Sequence, residues 1–68
     1  MNEEAFNLEV RQFLKKFGIT AQREIEKAVD AALRSKKLKG DETLKARATL
    51  EIDGLVKDIV IEGEIGLA

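Results

Sequence analysis

The side chains with the most capacity for chemistry are charged, and they are segregated. Six cations, Arg34, Lys36, Lys37, Lys39, Lys45 and Arg47, fall within residues 31–50 against only Asp41 and Glu42, a local charge of +4. Such a cluster suits a phosphate backbone, an RNA or an acidic protein partner. It equally suits a solvated linker behind a helix, whose C-terminal end favours cations. That plainer reading carries more weight, because no aromatic residue interleaves with the cluster to stack a base. Residues 51–68 are the mirror image, with Glu51, Asp53, Asp58, Glu62 and Glu64 against Lys57, a local charge of −4. The net charge of −1 conceals this division. One mechanistic expectation is therefore charge-directed association, the basic segment of one copy or an acidic partner meeting complementary charge, which salt would weaken.

Glu62 and Glu64 share a strand face and resemble a carboxylate pair. No nucleophile, oxyanion donor or substrate-positioning Arg accompanies them, so a solvated face is expected. The chain has no His and no Cys. That excludes thiolate and imidazole catalysis, disulfides and the usual zinc ligands. Gly18, Gly40, Gly54, Gly63 and Gly66 are isolated, so no phosphate-cradling loop is present. Asp53-Gly54 lacks the acidic series of a calcium loop. No catalytic residue, metal or cofactor is expected, and the chain is not read as an enzyme.

These residues need elements to hold them. Asn2 is a good N-cap, followed by Glu3 and Glu4 at the positive helix end. Phe6, Val10, Phe13, Leu14 and Phe17 then form one helical stripe, with the three Phe within about 40° of one another. Gly18 reads as a left-handed C-terminal residue with Ile19 as its apolar follower. The first helix is thus placed at about 3–17. Thr20 reads as a new N-cap, and Ala21, Ile25, Ala28, Val29, Ala32 and Leu33 as a second stripe on a helix of about 21–36. From Leu44 the period changes to two, with Leu44, Ala46, Ala48, Leu50 and Ile52 on one side. Asp53-Gly54 reads as a type I′ turn between strands of about 43–53 and 55–65. This pairs Ile52 with Leu55, Ala48 with Ile59 and Ala46 with Ile61. Lys57 then falls opposite Leu50, a poor match that leaves a longer loop through Asp58 open. Gly63, inside the second strand, could mark a bulge. The expected fold is α+β: a two-helix hairpin packed on a C-terminal antiparallel β-hairpin (α-α-β-β), one domain over 1–68.

A chain of 68 residues without disulfide or metal has a small core, and such domains commonly lean on a partner. Two open strand edges, with Leu8, Val56 and Val60 off the core-facing sides, point to a homodimer. The element order also admits a winged-helix-like nucleic-acid binder using the basic 34–47 segment. Residues 22–33, its recognition helix, hold two bases and three acids, which disfavours that alternative. No apolar run exceeds a few residues, and the start is acidic where a signal peptide is basic, so a cytoplasmic protein is expected.

Three segments carry a family resemblance: Asn2-Glu3-x-x-Phe6-Asn7, Gly18-Ile19-Thr20-x-Gln22-Arg23-Glu24-Ile25-Glu26-Lys27-Ala28 and Leu38-Lys39-Gly40-Asp41-Glu42-Thr43-Leu44. Through them nearly the whole chain resembles a set of short bacterial proteins of unknown function. The resemblance implies a bacterial cytosolic protein. It brings no activity and no site residue. The functional reading is a small non-enzymatic interaction module that self-associates.

Overall fold

The computed structural model describes all 68 residues, as one helix followed by one β-hairpin: α1 (Glu3–Arg34), β1 (Thr43–Leu50) and β2 (Ile59–Gly66). The chain divides into two units, Met1–Lys37 and Leu38–Ala68. The architecture is α+β, but there is no two-helix hairpin. The expected break at residues 18–20 is absent, and α1 runs through it for 32 residues, about 48 Å at 1.5 Å per residue.

The reason is an imbalance of costs. Gly within a helix costs about 1 kcal/mol relative to Ala. A break there strips up to four N–H and four C=O groups of their intrahelical partners. Gly18 takes no positive φ, so it is not a left-handed cap, and Thr20 is an interior residue rather than an N-cap. With no proline in the chain and good helix formers on both sides, one glycine does not stop the helix.

The true ends are capped. Asn2 is extended (φ −90°, ψ 103°), and its Oδ1 accepts from the Ala5 N–H at 3.1 Å, with Glu3 and Glu4 in the first turn. At the other end, Lys36 N–H donates to Leu33 O at 3.2 Å and Lys37 N–H to Ala32 O at 2.9 Å. That is the paired bonding of a Schellman cap around Ser35, with Lys36 in the left-handed position (φ +63°) usually given to Gly.

β1 and β2 pair antiparallel without interruption from Thr43↔Gly66 to Leu50↔Ile59. Leu44, Ala46, Ala48 and Leu50 fall opposite Ile65, Gly63, Ile61 and Ile59. The alternation is as expected, but the register is displaced by two positions and both strands stop short of the turn. A shift of two keeps every side chain on its expected face. It also removes the poor match of Lys57, since Leu50 now meets Ile59. The cause lies in the turn. Leu55 N–H donates to Ile52 O at 3.1 Å, and Gly54 alone has positive φ (+86°). A type I′ turn needs positive φ at Asp53 as well, and turns without it splay the strands. Pairing therefore begins at Leu50↔Ile59, and residues 51–58 form the connection. Gly63 is no bulge; it pairs in register with Ala46.

Candidate interaction surface

The helix unit is a single helix and the hairpin unit a single two-stranded sheet, so neither has an interior of its own. No residue of the chain is buried. The apolar stripe of α1 is the most extensive consequence. Phe6, Val10, Leu14, Phe17, Ala21, Ile25, Ala28 and Ala32 succeed one another at spacings of four, four and three, then repeat. Phe6, Phe17 and Ala28 thus hold the same place in successive repeats, as do Val10, Ala21 and Ala32. Such an eleven-residue repeat makes about 3.67 residues per turn, close to the helix's own 3.6. The line therefore stays on one side of α1, drifting by only about 20° per repeat. Phe6 and Phe13 are each 52% exposed, and Leu14, Phe17 and Ile25 are exposed as well. Near the middle, Phe13, Lys16, Phe17, Thr20 and Ala21 line a shallow open groove of about 310 Å³.

This continuity was available in the sequence. Two helices joined by a turn have no reason to keep their stripes in phase, and these two stripes keep it across Gly18.

The charged residues behave differently from the expectation of one basic patch. On the face of the hairpin opposite its Ile residues, Lys45 lies across from Glu64 and Arg47 across from Glu62. Arg47 Nε approaches Glu62 Oε1 at 3.9 Å. Two of the six cations are thus matched by acids of the neighbouring strand. A third, Arg34, holds Asp30 at 3.1 Å one turn back on α1. Lys36, Lys37 and Lys39 remain on the connection between helix and hairpin, engaged in no side-chain ion pair. Of the opposite charges of residues 31–50 and 51–68, two of each sign thus interleave on one face of the hairpin. With α1 unbroken, the winged-helix comparison also loses its separate recognition helix.

That connection carries a feature the sequence reading missed. The Glu42 carboxylate accepts from Lys39 N–H at 2.9 Å and from Gly40 N–H at 2.9 Å. These two backbone bonds hold its pKa below the usual Glu value, chiefly through Lys39 and then Gly40. Gly40 has φ +109°, which favours glycine at that position. Glu42 O in turn accepts from Leu67 N–H at 2.9 Å, tying the entry of the hairpin to its exit.

Leu8, Val56 and Val60 do not form one patch. Leu8 is on α1 about 160° round the helix from Val10, with Ile19 near it in azimuth. Val56 is fully exposed in the 51–58 connection, not on a strand face with Val60 as expected. Val60 pairs with Thr49 on the charged face of the hairpin.

A family model spans residues 1–68. The chain belongs to DUF6494, a family of unknown function. The whole-chain resemblance to proteins of unknown function is thereby shown. No curated protein and no solved structure matches the chain. No helix of this DUF6494 member is long and apolar enough to cross a membrane.

Proposed function

We propose that this DUF6494 member is a small non-catalytic interaction module that works as a homodimer, held by the apolar stripe of α1. One observation carries the reading: a helix with a continuous apolar stripe belongs to a chain in which no side chain is buried. A folded 7.6 kDa monomer exposes about 4,300 Å² by the usual scaling of surface with mass. The single chain exposes 6412 Å². The difference, about 2,100 Å² per chain, is the surface that further contacts of any kind have to cover, helix on hairpin included. Shared between two copies it reaches at most about 4,200 Å², against the roughly 2,000 Å² at which obligate homodimer interfaces begin.

The reading favours apolar contact over charge. Lys45, Arg47 and Arg34 already face acids of their own chain, and exposed charge pairs of that kind contribute about 0–1 kcal/mol. Sedimentation equilibrium at micromolar concentration tests it. The expected species has twice the chain mass of 7.6 kDa, at low salt and at high salt alike. It is shifted toward monomer by Phe17→Asp but not by Leu8→Ser. A species of single-chain mass throughout the concentration range refutes the proposal. A dimer that salt dissociates would return the contact to the charged segments.

A further inference from the structure

The stripe on α1 is graded in size, and the gradient specifies how two copies meet. Its N-terminal half is bulky: Phe6, Val10, Phe13, Leu14 and Phe17. Its C-terminal half is dominated by Ala21, Ala28 and Ala32, with Ile25 among them. Resting on the self-association proposed above, we infer that the partner on this stripe is a second copy of α1 lying antiparallel, with the two-fold axis passing near residue 19.

Three features of the arrangement support it. The first is volume. Centred on residue 19, the antiparallel alignment sets Phe6 against the partner's Ala32, Val10 against the partner's Ala28 and Phe17 against the partner's Ala21. Three of the bulky side chains then meet an alanine, while Phe13 comes level with the partner's Ile25 and Leu14 with the partner's Glu24, so large and small residues alternate across most of the roughly 39 Å of the stripe. The parallel alignment sets Phe6 on Phe6 and Ala32 on Ala32, which splays one end and leaves voids at the other. The second is charge on one rim. In an antiparallel pair, each flank of one helix meets the same flank of its partner. Glu9 and Lys27 lie at the same azimuth, beside the stripe, and Glu9 comes within about 3 Å of level with the partner's Lys27. The two-fold axis repeats this opposite pair at the other end. The third is period. A repeat of about 3.67 residues per turn keeps the contact line nearly straight on each helix, so the pairing extends from end to end with only a slight supercoil of right hand.

Distance measurement between spin labels decides the orientation, and the absence of cysteine from the chain makes single labels unambiguous. Ala5→Cys and Arg23→Cys place labels on the outer side of α1, away from the stripe, and circular dichroism confirms that each labelled chain keeps its helix. Position 5 is far from an axis at residue 19, and position 23 is close to it. At 1.5 Å per residue, the two labels at position 5 are offset by about 42 Å along the helices, and those at position 23 by about 12 Å. The expected result is a sharp distance above about 40 Å for position 5, and a markedly shorter one for position 23. A dimer with equal short distances at both positions is parallel, which overturns the inference while the self-association stands. A dimer with broad distances at both positions associates elsewhere and also overturns it. A monomer removes the proposal beneath it as well.

Discussion

Replacing Gly18 by Ala separates one helix from two through the sign of its effect. Gly18 is in the interior of α1 with ordinary negative φ, and a Cβ built there meets nothing within 4 Å. The methyl group is accommodated, and the unfolded chain loses the extra freedom of glycine. The expected gain is about 0.8–1 kcal/mol, the difference between Gly and Ala in a helix interior. For a domain of this length that raises the melting temperature by roughly 4–8 °C. Were Gly18 the left-handed residue closing a helix at Phe17, Ala would instead meet a steric cost of about 1–2 kcal/mol and lower the melting temperature. Thermal unfolding followed by far-ultraviolet circular dichroism, with wild type and variant at equal concentration, reads the sign directly. A loss of stability that is the same at every concentration refutes the continuous helix. A loss that vanishes on dilution arises from contact between copies, because a backbone cap does not depend on concentration.

Lys36→Gly is expected to stabilise the end of α1 by about 1 kcal/mol, since the position has φ +63° and glycine carries no steric penalty there; chemical denaturation of the two chains side by side measures it. For Glu42 the folded pKa is depressed, so its contribution is present above the unfolded value near 4.5 and is lost as the pH falls through the folded value. The Lys39 and Gly40 amide resonances are expected to titrate together, at a pH below that of an ordinary Glu, and to lose that step in Glu42→Gln. On the hairpin, Arg47→Glu sets like charges opposite Glu62 and is expected to destabilise by about 0.2–1 kcal/mol. Adding Glu62→Arg restores the pair, and a double-mutant cycle showing no coupling would contradict the register.

The elements were legible where a local rule had no competitor. Asn2 capped the helix as its side chain requires, and Leu44 to Leu50 alternated as a strand with one apolar face. Gly18-Ile19-Thr20 misled because each residue, taken singly, fits a helix boundary. Stop signals are weak preferences of about 1 kcal/mol, whereas an in-phase stripe from Phe6 to Ala32 constrains the whole segment. Lys36 shows the opposite error. No propensity marks a lysine as the left-handed residue, yet a chain with no glycine near residue 35 must turn on whatever stands there.

The charged segments show most clearly why a site cannot be read from local charge alone. Counted along the chain, residues 31–50 and 51–68 are two opposite patches. An antiparallel hairpin folds one back on the other, so Lys45 and Arg47 meet Glu64 and Glu62 at the register that pairs Leu50 with Ile59. Part of the apparent segregation is thus the internal complementarity of one sheet, which leaves Lys36, Lys37 and Lys39 at one end of the hairpin and Glu51, Asp53 and Asp58 in the connection at the other. The apolar stripe of α1 has no such answer within its own unit, because a single helix cannot cover itself. Of the two features, the uncharged one is left without cover in its own unit, and on that ground the proposed interaction is placed on α1.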